Sequence, residues 1–247
     1  MTKLINRNFL LPYNCNQIGI SEDRYPKRLM EIPSAPGTLY YKGNIDIINR
    51  RTNIAVIGSR HVSDSGASFA YQVGYALGKC GINVVNGLAL GCDTYALQGA
   101  LSADGTCVAV LPCGLEQVVP RSNTLLAREL LAAGGCLVSE YPVGTPIRRY
   151  QYIQRDRLQS GICDGVIVIE SELNGGTMHT ARYAIKQGRR LACIDSSLVR
   201  YSSGNRWIEE QNGVSVIRNM EDLSCFVNAL AKCMEYRQMT LTEIGSY

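Results

Sequence analysis

The stretch GICDGVIVIESELNGGTMHTARYAIKQGRR, residues 161–190, decides the fold. Its apolar run, Gly165-Val166-Ile167-Val168-Ile169-Glu170, lies between a glycine and polar residues. Four branched apolar residues in a row read as a strand buried on both faces. Asn174-Gly175-Gly176-Thr177 then breaks the chain, and an amphipathic segment runs from Thr180 to Gly188. Strand, glycine-rich turn and helix present free backbone N–H groups and a positive helix end to an anion.

Outward from this unit the same alternation recurs. Asn53-Ile54-Ala55-Val56-Ile57-Gly58 reads as a buried strand ending in Gly58-Ser59-Arg60. A helical pattern follows from about Asp64 to Lys79, stopped by Gly81. Ile82-Asn83-Val84-Val85 is the next strand and ends in Asn86-Gly87-Leu88-Ala89-Leu90-Gly91. A helix from about Asp93 to Ser102 leads to a strand from Thr106 to Leu111 and then Pro112-Cys113-Gly114. Ser122 is placed to cap a helix through Leu131. Cys136-Leu137-Val138 is a strand followed by Ser139-Glu140, and a polar loop and helix lead back to the central strand. Arg190 to Ile194 is a further strand. A short helix from Gly204 to Gln211, a last strand from Val214 to Ile217 and a closing helix from Met220 to Tyr236 complete the pattern.

Strands alternating with helices predict an α/β fold: an extended Rossmann-like, doubly wound, mostly parallel sheet with helices on both faces. Residues 1–50 are expected to be an irregular N-terminal extension packing on the core. Pro26, Pro33 and Pro36 interrupt them, and Thr38 to Gly43 reads as a short strand at a sheet edge. The core is expected over residues 51–236 and a C-terminal tail over 237–247.

Composition narrows the class. At 46% hydrophobic and 19% charged, 247 residues suit a soluble globular domain. The apolar runs are strand-sized, so no membrane span is expected, and the N-terminus lacks a signal peptide's apolar core and cleavage site. Ten cysteines without a C-x-x-C read as buried hydrophobes in a reducing cytoplasm. With two histidines and no ligand spacing, no metal and no cofactor are expected. A charge of +4 is a mild tilt, so distribution matters more than total.

In such sheets ligands bind outside the carboxyl ends of the strands. The expected rim carries Arg60, amides near Gly58, Gly87, Gly91, Gly175 and Gly176, and the hydroxyls of Ser59, Thr177 and Thr180. These donors suit phosphate. Gly-x-Gly-x-x-Gly is absent after the first strand and no carboxylate closes the second, which argues against a dinucleotide. Asp93 is read as capping its helix, and Glu140 as anchoring a rim arginine or acting as acid or base. The densest signal is Ile147-Arg148-Arg149-Tyr150-Gln151-Tyr152-Ile153-Gln154-Arg155-Asp156-Arg157, with four Arg and two Tyr within ten residues. Arginines track phosphates and tyrosines offer stacking faces, a combination suited to a polynucleotide. Arg121 and Asn123 add to the same rim.

Together these residues resemble the DNA-processing protein A family (DprA, also called Smf). The resemblance runs from about Tyr25 to Leu223, through Gly58-Ser59-Arg60, Gly87 to Asp93, Pro120-Arg121-Ser122-Asn123, Ser139-Glu140, Arg155-Asp156-Arg157, Gly176-Thr177 and Gly204-Asn205. It implies an extended Rossmann fold that binds single-stranded DNA, protects incoming strands and helps load a RecA-type recombinase in natural transformation. It also implies a homodimer and no enzymatic activity. Arg60, Arg155 and Arg157 would line the DNA pocket. Where the family usually has Arg-Asn-Arg, this chain has Asp156 in the middle; Gly175-Gly176-Thr177 and Asp195-Ser196 also depart from its pattern. The alternative is a nucleotide-binding protein or N-glycosidic hydrolase using the same rim. Lacking a carboxylate just after Gly175-Gly176-Thr177, a hydrolase would recruit Glu140 or Asp93.

Overall fold

A computed structural model describes residues 14–230. Its core is the expected α/β sheet, mostly parallel and covered by helices on both faces. The parallel strands are β3 (Asn53–Ile57), β4 (Asn83–Asn86), β5 (Cys107–Val110), β6 (Cys136–Ser139), β7 (Gly165–Val168), β8 (Arg190–Ile194) and β9 (Ser215–Ile217). The chain winds outward from β3 through β4 and β5 to β6. It then crosses back to lay β7 on the other side of β3, with Ile54 opposite Gly165 and Ile57 opposite Val168. Winding therefore reverses between β3 and β7, the place where such sheets open a crevice at their carboxyl ends.

β3 to β7 are buried on both faces, so their alternate side chains feed two cores. Ile54 and Val56 of β3 and Ile167 of β7 face α3 (Asp64–Lys79), α4 (Cys92–Ser102) and α5 (Thr124–Ala132). Ala55, Ile57, Val166 and Val168 face α6 (Arg149–Ile162), α7 (Thr177–Lys186) and α8 (Ser203–Glu209). The six cysteines at 92, 107, 113, 136, 163 and 193 are free and buried among these layers.

The lead-in segment supplies two further strands of the same sheet. β2 (Thr38–Gly43) pairs antiparallel with β6, and β1 (Asn16–Gly19) pairs antiparallel with β2, giving the order β1-β2-β6-β5-β4-β3-β7-β8-β9. β2 is thus not an edge strand, as its sequence led us to expect. The edge is β1, whose four residues bury Ile18 alone and so carry no periodic signal. Two short helices, α1 (Lys27–Met30) and α2 (Ile47–Arg50), join these strands to the core. Arg28 of α1 reaches Asp164 at 2.7 Å, and Asp164 in turn accepts from the Asn53 amide at 2.9 Å, tying the lead-in to the base of β3.

Two boundaries shift from the sequence reading. Ser122 does not cap a helix: Arg121–Asn123 form a 3-10 turn and α5 starts at Thr124. The closing helix begins at 220 and is described to 230; its expected end and the tail over 237–247 lie outside the described residues. No helix among the described residues is long and apolar enough to cross a membrane.

Helices α3 and α4 cross in close contact because their facing residues are small. A Cβ on Gly74 would collide with the Ala96 carbonyl, and one on Gly99 with the Tyr71 carbonyl. Close packing leaves no slack for an added methyl. Gly74→Ala is expected to lower the unfolding free energy by about 1–3 kcal/mol, the usual cost of overpacking. Gly37→Ala, with nothing within 4 Å of its added methyl, is expected to leave it nearly unchanged. Urea denaturation of the two variants checks both.

Candidate functional site

A cleft of about 420 Å³ opens at the carboxyl ends of β3 and β7. Four chain segments wall it. Gly58, Ser59, Arg60 and His61 come from the turn after β3, and Asp93 from the start of α4. Tyr152, Arg155, Asp156 and Gln159 come from α6, and Gly175, Gly176, Thr177, His179 and Thr180 from the turn and start of α7.

Glycine sets the shape of the β3 turn. A Cβ on Gly58 would collide with Cys92 and approach the Glu170 carbonyl. Gly91, at φ 75°, comes so close to the carbonyls of Ser59 and Arg60 that no side chain fits. The turn is bonded on both sides: the Ser59 amide donates to Glu170 O at 2.7 Å, and the Cys92 amide to Ser59 O at 3.1 Å. With its backbone fixed, Arg60 projects into solvent, its guanidinium 5.4 Å from the centroid of the Tyr152 ring. That pair offers a cation and a half-exposed aromatic face side by side.

The cleft floor is ionic and internally balanced. Arg155 is buried; its Nη1 donates to Val110 O at 2.8 Å and its Nε to Asp156 Oδ1 at 3.1 Å. The guanidinium occupies the space that a side chain at Gly87 would fill. Asp93, also buried, accepts from the amides of Gly87 at 2.8 Å and Ala89 at 3.2 Å. Burial pushes the Asp93 carboxyl up to about 6, against the pull of Arg155 and these two amides. Burial also raises Asp156, opposed by Arg155, His179 and Arg60. Arg155 is thus largely committed to its neighbours. The free positive character of the cleft comes from Arg60 and the start of α7. There Gly175, Met178 and His179 spend their amides on the carbonyls of Glu172, Gly175 and Gly176, so that the amides of Gly176 and Thr177 are the ones that face an anion.

Several expected site residues stand elsewhere, for local reasons. Arg155 and Arg157 are two positions apart on a helix, about 200° around its axis, so they cannot share a wall. Arg157 points away from the cleft and is held by Glu140. Glu140, one of the two carboxylates that a hydrolase would recruit, is therefore outside the cleft as well. Asp93 does not cap α4 from outside: it lies within the helix and reaches back to the Gly87–Ala89 loop. Gly87 spends its amide on Asp93, so it is not a free anion donor. Asn123 is buried and donates to Leu88 O, Ala89 O and Thr94 Oγ1 at 2.9–3.1 Å, bracing that loop from below. Arg121, Arg148 and Arg149 are exposed outside the cleft lining.

Other residues that shape the site escaped sequence reasoning. Glu170, fully buried at the end of the β7 run, accepts from Ser63 N and Oγ through Oε2 and from the amides of Arg200 and Tyr201 through Oε1. Asn205, also fully buried, accepts from the Ser171 amide and donates to Ile169 O and Ile194 O. For Glu170 the available signal was a polar residue closing a fully apolar run; Asn205 lies within α8 and gave no such signal. Among the described residues no group of three or more His, Cys, Asp or Glu is placed to hold a metal ion.

The raised Asp93 value has a definite pH consequence. In the unfolded chain its carboxyl titrates near 3.8, in the folded protein near 6. As pH rises through this window the unfolded chain loses its proton first, so folding stability falls, by about 3 kcal/mol, and levels off above it. Asp93→Asn is expected to remove this part of the dependence. The difference between parent and variant unfolding free energies across that pH range measures it.

Comparison with known proteins places this architecture. The family model described as DNA recombination-mediator protein A matches residues 16–228. Protein Smf of Escherichia coli K12 is 34% identical over 211 residues, 85% of this chain and 56% of that protein. The chain spans about half the length of such relatives, 44% in the case of Smf from Synechocystis. The crystal structure of DNA processing protein A from Streptococcus pneumoniae superposes with a TM-score of 0.77 at 32% identity, covering 88% of this chain and 75% of that one. A structure that addresses the single-stranded DNA binding mode of DNA processing protein A from Helicobacter pylori superposes at 0.78 with 26% identity, covering 90% and 97%. The chain belongs to the DNA recombination-mediator protein A family.

Proposed function

We propose that this protein binds single-stranded DNA along its carboxyl-end rim, protects the strand and assists its transfer to a RecA-type recombinase in recombination or natural transformation. In this reading it acts in the cytoplasm as a homodimer and without a catalytic step. The observation that carries the proposal is the Arg60–Tyr152 pair beside the start of α7. A phosphate set between Arg60 and the amides of Gly176 and Thr177, with the hydroxyls of Thr177 and Thr180 nearby, leaves a base free to meet the Tyr152 ring. Such a site holds any base, because every base has a π-face. Exposed Arg121, Arg148 and Arg149 extend the cationic field beyond the cleft and draw a polyanion toward it. Arg155, Asp93 and Asn123 act beneath, as the scaffold of the loops. The description of the family model, a recombination mediator, supports the recombinase partner.

Fluorescence anisotropy with a labelled oligothymidylate of about 35 nucleotides, longer than a typical single-strand site, tests the reading. Binding is expected to weaken steeply with salt, since each neutralised phosphate releases a counterion. Arg60→Ala is expected to weaken it about tenfold, the loss of one charge-assisted contact. No binding by the folded protein at low salt overturns the proposal.

Asp156 supplies an independent check. Its carboxylate faces the cleft and opposes an incoming phosphate. Asp156→Asn is expected to tighten oligothymidylate binding several-fold near neutral pH, and acidification of the parent to act in the same direction. Titrating parent and variant at two pH values reads both effects.

A further inference from the structure

We infer that the rim carries a second single-strand contact, made by Arg200 and Tyr201 in the loop after β8, so that a bound strand runs from the cleft across the end of β7 to this loop. The inference rests on the single-strand reading of the cleft and extends it to a binding site outside it. Arg200 is exposed and its guanidinium lies 5.5 Å from the centroid of the Tyr201 ring, which is 37% exposed. This repeats the chemistry of the Arg60–Tyr152 pair: one free cation beside one accessible aromatic face.

The two pairs belong to one rigid rim. The buried carboxylate of Glu170 receives the amides of Arg200 and Tyr201 at 3.0 and 2.8 Å on one oxygen, and Ser63 N and Oγ at 2.8 and 3.1 Å on the other. Ser63 follows Arg60 by three residues and caps α3. The loop after β3 and the loop after β8 are therefore clasped to the same side chain. The segment between them is fixed too. The Gly204 amide donates to Ser171 O at 2.8 Å, the Leu173 amide donates to Ser203 Oγ at 2.9 Å, and Ser171 itself lines the cleft. Glu172, exposed on that segment, is the acidic group that a strand passes, so its phosphates face Arg60 and Arg200 on either side. A structural role for the Arg200 and Tyr201 side chains is weak by comparison, since the loop is held through their backbone amides.

Length dependence separates this contact from the cleft. An oligothymidylate of about 5 nucleotides fills a single short site, whereas one of about 20 spans both. The double variant Arg200→Ala/Tyr201→Ala is expected to bind the long oligomer about tenfold more weakly and the short one like the parent. Tyr201→Phe, which keeps the ring, is expected to bind both like the parent. Lys79→Ala removes one positive charge at the opposite end of the sheet, 5.6 Å from the Tyr75 ring, and is expected to change neither. Equal binding of the long oligomer by the double variant and the parent overturns the inference, as does a loss in Lys79→Ala equal to that of the double variant. A parent that binds neither length overturns the cleft reading and this extension with it, and so is told apart from failure of the second contact alone.

Discussion

Glu170 is the constraint on which the rim depends. A fully buried carboxylate is costly unless every lone pair it loses to water is replaced. Here four donors from two loops converge on it, and hydrogen bonds to a charged group are the stronger kind. Its backbone takes part as well, accepting from Ser59 through its own carbonyl. The end of β7 thereby positions the turn after β3 on one side and the loop after β8 on the other. Gly66 of α3 lies so close to this carboxylate that a side chain there has no room. Because β7 sits beside β3 at the reversal of winding, the group that stabilises the loops is also the group that shapes the crevice.

The charged residues of the rim divide into two kinds. Buried and half-buried ones are consumed by the fold: Arg155 by Val110 O and Asp156, Asp93 by two amides, and the half-buried Arg157 by Glu140. Breaking any such pair strands its partner in a dry environment, which is why these side chains act as scaffold. Two exposed ones, Arg60 and Arg200, each lie beside a tyrosine ring and leave their donors free for a ligand. A surface built this way holds its geometry without spending the cations that recognise phosphate.

Much of the core was legible from periodicity. The runs at 53–57 and 165–168 are apolar on both faces, which only a sheet covered on both sides accommodates. Gly58 and Gly91 marked a strand end and a helix start where a Cβ obstructs or a positive φ is needed, whereas Gly176 is helical with open space about it. β1 was illegible, since a four-residue polar strand is defined only by its partner. So was the division of labour among the arginines. Arg155 and Arg157 look alike as letters, yet one is buried under Gly87 and the other is held by Glu140.

The sequence by itself determined the alternation of strands and helices, the sheet class, the glycine-lined strand ends and the family resemblance. All of these follow from local rules: side-chain period, backbone freedom and residue type at fixed spacing. The tertiary structure alone decided which charges remain free. Whether a guanidinium meets a carboxylate, a carbonyl or solvent depends on residues brought together from distant parts of the chain. Val110 and Arg155, or Glu170 and Tyr201, become neighbours only once the sheet has closed around them.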